Sequence, residues 1–425
     1  MNTSAHSQML GASPMSGEIL AARIETLAKF SSEPNVLTRL TLTQAHRDAA
    51  DMVMSWMAQA GMQVHVDALG TVVGRREAAN PGAKTLLLGS HIDTVRNAGK
   101  YDGNFGVIAA IAAVDRLRSE GIVLPFAIEV LAFGDEEGVR YASTLTGSRA
   151  IAGNFDPASL EQKDAQGISR REALVRFGVD PGYALHQARD PARTIGYIEV
   201  HIEQGPVLES EGLPIGIVTA INGATRGSLE IKGVSGHSGT LPMSLRHDAI
   251  TAAAEIILAV EMVARSKRGL VATVGRVETP QGAVNIVPGA ATMSLDVRSS
   301  SDADRKEAVA LILDHAQRIA QRRGVEVKFT PGYDMAAVPC GEHLMACLAR
   351  GFATLGQPDY RLPSGAGHDA MSFHNRIPIA MIFTRCRGGV SHNPAEFASP
   401  GDMEIATAAL YEFLLTLAND TGAGQ

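Results

Sequence analysis

The segment LLLGSHIDTV, residues 86–95, places a histidine and an aspartate at the end of a run suited to a buried strand. Residues i and i+2 of a strand point to the same side, so His91 and Asp93 are predicted to face each other. One interpretation is a strand that ends in an ordinary polar turn. The other is a metal-binding histidine whose second ring nitrogen is held by a carboxylate. This segment alone leaves both interpretations open.

Four more segments place side chains of metal-ligand type where predicted strands end or loops begin. Asp102 lies in GKYDGNFGV, a glycine-flanked loop before a helix, where an aspartate is also a common N-cap. The acidic triplet of FGDEEG, residues 133–138, ends an apolar strand, and three adjacent carboxylates repel one another unless cations neutralise them. His201 and Glu203 repeat the same-side spacing in EVHIEQGPVLE, and His392 lies in the loop GVSHNPAEF. Imidazoles and carboxylates gathered at the strand ends of one sheet favour zinc and similar ions, with enough ligands for two.

Other catalytic motifs are absent from the sequence or incomplete. The sequence has no H-E-x-x-H, Walker-type or G-x-G-x-x-G motif, and GHSGT, residues 236–240, lacks the second glycine of a G-x-S-x-G elbow. Cys386 follows a predicted strand, but no base lies near it in the sequence. The histidines without a ligand context are interpreted as structural or surface residues: His46, His65, His186, His315, His343 and His374.

Composition excludes several other classes of protein. The 425 residues carry a net charge of −7 and a pI near 6.0, which leaves no basic surface for nucleic acid. The longest apolar stretch, residues 106–114, is too short to span a membrane. The sparse, odd set of three cysteines (Cys340, Cys347 and Cys386) favours a reducing compartment, and the first residues lack the pattern of a signal peptide. We therefore expect a soluble, cytoplasmic protein.

The candidate residues can come together only if the strands that carry them end at the same edge of one sheet. The pattern of predicted elements indicates such a sheet. Apolar strands alternate with helices over residues 63–134 and again over 340–419, which indicates a mostly parallel sheet covered on both faces. Between them, a strand–helix–strand–strand–helix–strand order matches the split-βαβ arrangement of ferredoxin-like domains. The prediction is a discontinuous α/β catalytic domain, residues 1–222 and 338–425, into which an α+β domain, residues 223–337, is inserted.

Two amphipathic helices are predicted ahead of this sheet, over residues 16–30 and 43–60. Thr43 is the expected N-cap of the second helix, because its hydroxyl can accept a hydrogen bond from the first turn. The first dozen or so residues are expected to be unstructured.

Together, the motifs resemble those of a known enzyme family. In chain order they are GSHIDTV, GKYDGNFGV, DEEGVRY, HIEQGPVLE, GHSGTLPM and SHNPAEF. From about residue 17 to 420, the chain resembles the amidase/hydantoinase–carbamoylase branch of the dinuclear zinc aminoacylase–carboxypeptidase superfamily. That branch includes N-carbamoyl-L-amino acid hydrolases, beta-ureidopropionases and allantoate amidohydrolases. The resemblance implies the two-domain layout predicted above, with a homodimer formed through the inserted domain.

The resemblance also implies a site for two divalent metal ions per chain. Zinc is the first expectation, with manganese, cobalt or nickel as alternatives, since these ions share such sites. Asp102 would bridge the two ions, Glu136 would be the general base, and Asp93 would orient His91. His201 stands where peptidases of the wider superfamily usually have a carboxylate, which favours an amidase. The implied metal ligands are His91, Asp102, Glu137, His201 and His392.

Further roles fall on the inserted domain and its surroundings. In a homodimer, His237 of SGHSGT would act in the active site of the other subunit, where it polarises the scissile carbonyl. A bidentate arginine suits a substrate carboxylate, although outside the family context a surface salt bridge would be the preferred interpretation of Arg298. His368 and Asp369 would support the site. The implied substrate contacts are Gln204, Arg226, Asn285, Arg298, Ser364 and Gly365.

These residues predict hydrolysis of a carbamoyl or ureido C–N bond in a small carboxylate substrate. An N-carbamoyl-L-amino acid is the first expectation, and allantoate is the alternative, followed by a dipeptide or an N-acyl amino acid. A non-catalytic binding protein on the same fold is a further alternative, which the intact ligands and base argue against. The sequence does not name the substrate's side chain, its stereochemistry, the physiological metal or an oligomer beyond the dimer.

Overall fold

A computed structural model describes residues 13–280 and 282–422 of this chain, which form two compact units. The first contains the described residues as far as Thr219, then Cys340–Leu362, and those from His368 onward. The second contains Ala220–Pro339 and Pro363–Gly367, and so includes all described residues of the predicted insert, 223–337. The expectation that the first dozen residues are unstructured falls outside the described residues.

Ten α-helices lie within the described residues. They are α1 (Gly17–Leu27), α2 (Gln44–Gln59), α3 (Asn104–Ser119), α4 (Thr146–Ala152), α5 (Arg170–Phe177), α6 (Val207–Ser210), α7 (Ala249–Arg265), α8 (Asp302–Arg323), α9 (Glu342–Thr354) and α10 (Pro400–Gly422). The predicted cap of α2 is confirmed, because the Thr43 side chain accepts from the backbone N–H of His46. None of the helices in this part of the chain is both long and apolar enough to cross a bilayer.

Sixteen β-strands lie within the described residues. They are β1 (Gln63–Val66), β2 (Val72–Arg76), β3 (Thr85–His91), β4 (Ala127–Phe133), β5 (Thr194–Ile202), β6 (Ile215–Ile221), β7 (Gly223–Lys232), β8 (Gly236–His237), β9 (Val271–Thr273), β10 (Val277–Glu278), β11 (Ile286–Val287), β12 (Ala290–Ser299), β13 (Glu326–Met335), β14 (Val338–Pro339), β15 (Arg361–Ser364) and β16 (Ile379–Thr384).

The sheet of the first unit runs in the order β1-β2-β4-β3-β5-β16-β6. Its centre, β4-β3-β5-β16, is parallel, and the strands on either side are antiparallel. β14 pairs with the last two residues of β6, and β15 also pairs with β6. The predicted mostly parallel sheet is confirmed. Because β3 and β5 are parallel neighbours, their carboxyl ends bring His91 and His201 to the same edge.

The turn into α3 needs glycine because it runs against the ring of His91. Gly103 has a φ of 65°, and a Cβ there would lie 2.4 Å from His91 Nε2. One turn later, a Cβ on Gly106 would lie 2.1 Å from the Val200 carbonyl oxygen of β5. These close approaches place Asp102, immediately before Gly103, beside the ends of β3 and β5.

The second unit contains an antiparallel sheet in the order β10-β12-β7-β13, with β9 also paired to β12. Residues of β12 alternate between buried and half-buried, and its buried residues pack with α7 and α8 in one apolar core. Asp296 and Arg298 alternate with those buried residues and therefore lie on the opposite face. The predicted βαββαβ order of a ferredoxin-like unit is confirmed, and a short ribbon of β8 and β11 is added to it.

Candidate metal centre

Asp102 lies among three histidines at the carboxyl edge of the parallel strands. Its Oδ1 is 3.5 Å from His91 Nε2 and 3.1 Å from His201 Nε2. Its Oδ2 is 3.2 Å from His392 Nε2. A carboxylate that directs its two oxygens at two separate sets of imidazoles has the arrangement of a bridging metal ligand.

Two groups of candidate ligands share Asp102. One combines it with His91 and His201, and the other combines it with Glu137 and His392. Within each group all the ligand atoms lie within 4.8 Å of one another, and His392 Nε2 is 3.5 Å from Glu137 Oε2. Imidazole nitrogens with carboxylate oxygens are the donors that zinc, manganese and their neighbours take. The donor set therefore fits divalent metal ions.

The electrostatics of the centre point the same way. Burial raises the pKa of Glu136 well above its usual range, and burial together with Asp102 raises the pKa of Glu137 to about 7. Burial also opposes ionisation of Asp102, but its hydrogen bonds with His201, His392 and His91 outweigh that effect and lower its pKa. Buried carboxylates that are difficult to ionise together are the groups that a divalent cation stabilises.

Asp93 connects the first histidine to the acidic loop, although not in the way the strand spacing predicts. β3 ends at His91, so Asp93 lies beyond the strand, and its backbone oxygen is 3.1 Å from His91 Nδ1 while Oδ1 is 3.6 Å away. Its carboxylate accepts the backbone N–H groups of Glu136 at 3.2 Å and Glu137 at 3.3 Å. Asp93 therefore holds both the His91 ring and the loop that carries the two glutamates.

The prediction that His201 and Glu203 share a strand face is wrong. β5 ends at Ile202, so Glu203 lies just beyond the strand, where its N–H still donates to the Thr384 carbonyl oxygen at 2.9 Å. The Glu203 carboxylate accepts the backbone N–H groups of Val207 and Leu208, both at 2.8 Å, at the start of α6. His201 Nδ1 instead lies 2.9 Å from the backbone oxygen of Ile202.

Two residues around Asp102 were missed at the level of sequence. Glu396 accepts the backbone N–H groups of Tyr101 and Asp102, at 2.8 and 3.0 Å. The Ser391 hydroxyl is 2.9 Å from both Asp102 Oδ2 and Glu396 Oε2, and can donate to one of them at a time. Both residues belong to SHNPAEF, from which only His392 was selected. An acidic residue four positions after a candidate ligand histidine was the feature of the sequence that could have indicated Glu396.

Gln204 and Glu199 also lie at this edge. Gln204 Nε2 donates to Asp102 Oδ2 at 2.7 Å, which places this predicted substrate contact against the metal centre. Glu199 is fully buried inside β5, and its carboxylate, with His201 and His368, forms another group of neighbouring ligand atoms. The ring of His368 packs edge-on to that of His201 at 4.5 Å. Glu199 was not predicted, although a charge inside an apolar strand was the signal for it.

In the second unit, His237 lies on β8 of the β8–β11 ribbon, and Asn285 immediately precedes β11. His237 is exposed, and the backbone oxygen of Asn285 accepts the Ser238 N–H at 2.9 Å. The Gly239 N–H donates to His237 Nδ1 at 3.2 Å. A neutral His237 ring therefore carries its proton on Nε2, where it is available as a donor.

The other predicted substrate contacts of the second unit lie by its open sheet face. Arg226 and Arg298 are on that face, and the Gly365 carbonyl oxygen accepts from Arg298 at 2.7 Å. Ser364 is buried in the same segment as Gly365.

The structure also brings together a group away from this centre that the sequence did not indicate. His343 and Cys347 of α9 and Asp420 of α10 have ligand atoms within 4.8 Å of one another. Arg350 Nη2 lies 3.3 Å from Cys347 Sγ and also donates to the Asp420 carboxylate. The guanidinium already supplies positive charge there, so this group is a salt bridge with a thiol beside it.

Known proteins match this chain over the region that contains the candidate metal ligands. The model of peptidase family M20/M25/M40 matches residues 87–416. The chain is 41% identical to the N-carbamoyl-L-amino acid amidohydrolase of Geobacillus stearothermophilus, over 95% of this chain and 98% of that protein. It is 38% identical to an allantoate deiminase of Arabidopsis thaliana, over 92% of this chain and 81% of that protein.

A crystal structure of an amidase of the hydantoinase/carbamoylase family from Burkholderia multivorans has the same fold. Its TM-score is 0.89 at 30% sequence identity, and the match covers 95% of this chain and 98% of that one. The family match includes the whole metal centre, from His91 to His392, and the chain belongs to peptidase family M20/M25/M40.

Proposed function

We propose that this chain is a metal-dependent amidohydrolase that cleaves the carbamoyl or ureido C–N bond of a small carboxylate substrate. An N-carbamoyl-L-amino acid is the first choice of substrate. The observation that carries the proposal is Asp102, one carboxylate shared between two groups of metal ligands. The names of the relatives from Geobacillus stearothermophilus and Arabidopsis thaliana support this class of reaction.

The proposed cofactor is a pair of divalent ions per chain, zinc first and manganese, cobalt or nickel as alternatives. His91 and His201 would hold one ion, Glu137 and His392 would hold the other, and Asp102 would bridge them. Bound in this way, such ions polarise a carbonyl oxygen and lower the pKa of a water molecule.

Glu136 is the proposed general base. It would take a proton from the attacking water and pass it to the leaving nitrogen as the C–N bond breaks. Its Oε2 is 4.0 Å from His91 Nε2, farther than Asp102 is from the same atom, which suits a base beside the ligands.

The second unit would supply substrate contacts and the dimer. His237 Nε2–H would stabilise the developing oxyanion in the other subunit, and Arg298 would bind the substrate carboxylate. The proposed contacts to the ureido group and the rest of the substrate are Gln204, Arg226, Asn285, Ser364 and Gly365. Support for a homodimer through this unit comes from α7, where Leu258 and Met262, one turn apart, are 65% and 51% exposed.

We also propose a cytoplasmic location. All three cysteines are unpaired and buried, which fits a reducing compartment.

Turnover of a substrate panel tests the proposed activity. Protein stripped by a chelator and reloaded with zinc or manganese would be given N-carbamoyl-L- and D-amino acids, allantoate and dipeptides. We expect hydrolysis of the N-carbamoyl-L-amino acids by the reloaded protein and none by the stripped protein. Turnover of dipeptides alone would reject the substrate class, and no turnover with either metal would reject the enzyme.

Allantoate is the second candidate substrate. It carries two ureido groups beside one carboxylate, so it needs more donors than an N-carbamoyl amino acid. Arg226 would provide them, since the only hydrogen bond that its side chain makes among the described residues is through Nε. A higher kcat/KM for allantoate than for every N-carbamoyl amino acid of the panel would favour this candidate.

A further inference from the structure

Two arginines and one aspartate share the open face of the sheet in the second unit. Asp296 of β12 stands directly opposite Arg226 of β7 in the strand register. Arg298 follows Asp296 by two residues and so projects from the same face of β12. Cross-strand pairing and strand alternation therefore place one carboxylate between two guanidinium groups.

Asp296 accepts hydrogen bonds from both arginines. Its Oδ1 accepts from Arg298 Nε and its Oδ2 from Arg298 Nη2, each at 2.9 Å, which is a bidentate pair. Arg226 Nε donates to the same Oδ2 at 2.9 Å. Arg298 Nη1 donates to the Gly365 carbonyl oxygen at 2.7 Å, which leaves one N–H of each terminal nitrogen of Arg298, and both terminal nitrogens of Arg226, for a ligand.

These three side chains line a depression of about 560 Å³ within the second unit. Thr273, Ser294 and the apolar residues Val271 and Leu295 line it too, so the charged groups stand in a mainly apolar depression that is large enough for a small carboxylate. Both arginines are charged at any physiological pH. Burial raises the pKa of Asp296, but its hydrogen bond and charge interaction with Arg298 outweigh burial and lower it, so Asp296 is ionised as well. The cluster therefore carries one net positive charge.

We infer that Asp296 is a positioning residue that orients Arg298 and Arg226 toward the substrate and restricts the depression to ligands with a single carboxylate. This inference rests on the proposed function, in which Arg298 binds the substrate carboxylate. One carboxylate neutralises the cluster, and a second would meet no uncompensated positive charge. The enzyme should therefore prefer monocarboxylate substrates to dicarboxylates of the same shape.

N-carbamoyl-L-glutamine and N-carbamoyl-L-glutamate form a matched pair for the test, because they differ by one charge and hardly at all in shape. Asp296→Asn keeps an acceptor oxygen but changes the cluster from one to two net positive charges. We expect the ratio of kcat/KM for the glutamate over the glutamine derivative to rise roughly fivefold, the size of a charge interaction near solvent. The change should appear in KM.

Two control variants separate charge from folding. Asp296→Glu keeps the charge, and its ratio should stay within twofold of the wild type. Glu278→Gln removes a negative charge from the exposed Arg276–Glu278 pair of the same sheet, outside the depression, and should leave the ratio unchanged. A ratio in Asp296→Asn equal to that of the wild type, or an equal loss for both substrates, would overturn the inference, because Asp296 would then only support the sheet.

Calorimetric binding of the same pair to metal-loaded protein distinguishes failure of the inference from failure of the proposed function. A Glu136→Gln background keeps both ligands intact during the titration. If the wild type hydrolyses neither compound, the proposed substrate class fails, but a fivefold shift of binding preference in Asp296→Asn would still support the role of Asp296. No shift, or no binding of either compound, would overturn it.

Discussion

Asp93 and Glu203 occupy equivalent positions along the chain, each two residues beyond a histidine of the candidate metal centre. Their carboxylates nevertheless have different partners. Asp93 accepts the N–H groups of Glu136 and Glu137, the proposed base and a proposed ligand, whereas Glu203 accepts the first N–H groups of α6. We therefore expect Asp93, but not Glu203, to affect metal affinity and turnover.

Substituting both residues by their amides tests this difference. Asp93→Asn removes one of two acceptors that hold the glutamate loop, and we expect kcat/KM and metal affinity to fall by about 10- to 100-fold. Glu203→Gln should change both by less than threefold, because it acts on α6. Equal effects of the two substitutions on metal affinity would show that Asp93 has no special role.

Arg298 gives a second prediction for a single residue. Arg298→Ala should raise KM for carboxylate substrates at least tenfold and change kcat less, because a bidentate charged contact is lost. Arg276→Ala is the matched control, since Arg276 is also in the second unit and makes an exposed pair with Glu278. Unchanged kinetics in Arg298→Ala would leave Arg298 as an ion-pair partner of Asp296.

At the scale of elements, α2 carries a buried histidine that should make folding sensitive to acid. His46 is fully buried, its Nδ1 accepts the Leu42 N–H at 2.9 Å, and its ring lies 5.0 Å from that of Phe177. Burial lowers its pKa from 6.5 to about 4; Asp93 opposes this shift, and Arg39 adds to it with two other arginines. The unfolded chain therefore binds this proton more readily than the folded one.

The sign of the pH effect follows from that lowered pKa. The contribution of neutral His46 to the free energy of unfolding is fully present above pH 6.5. It is lost progressively as the pH falls toward 4, by about 3 kcal/mol. His46→Asn keeps an acceptor for the Leu42 N–H but does not titrate. Denaturant unfolding between pH 7 and 4 should therefore show a loss of stability about 3 kcal/mol larger in the wild type than in His46→Asn. Parallel pH profiles would contradict this.

Helices and strands with a clear hydrophobic periodicity could be predicted from the sequence. The partners of side chains at the ends of these elements could not. The cap at Thr43 and the βαββαβ order of the second unit follow from local hydrogen-bonding preference and alternation. The partners of Glu203 could not be predicted, because they are N–H groups of α6, a helix of four residues that is too short to show a period in the sequence. The group around Cys347 depends on how α9 packs on α10, which neither helix encodes alone.

At the scale of the whole molecule, the predicted family and fold class are confirmed, because several motifs in a fixed order are far more specific than any one of them. The domain boundaries and the roles of the site residues stay predictions. The structure brings His91, Asp102, Glu137, His201 and His392 together within the first unit. His237 lies in the second unit. Its proposed role in the active site of the other subunit can therefore be tested only on the dimer.

Subunit mixing tests the proposed exchange of His237. His237→Ala and Glu136→Gln chains should each be inactive alone. In a mixed dimer, one site would combine an intact Glu136 with an intact His237, so mixing should restore up to about a quarter of wild-type activity if equal amounts exchange at random. Wild-type chains mixed with Glu136→Gln chains are the reference for activity, because half of their sites stay active with or without exchange, and exchange itself is verified by co-purification of differently tagged chains. No recovery after verified exchange would place His237 in its own chain's site or outside catalysis.

The metal content of Glu136→Gln, measured together with its turnover, decides whether the Asp102-centred group is a two-ion hydrolytic site with Glu136 as its base. We predict two divalent ions per chain in both the wild type and the variant. Turnover of the N-carbamoyl-L-amino acid should fall at least a hundredfold in Glu136→Gln, because the proton acceptor is removed while the ligands remain. Loss of metal on this substitution, or turnover equal to that of the wild type, would show that Glu136 is not the base.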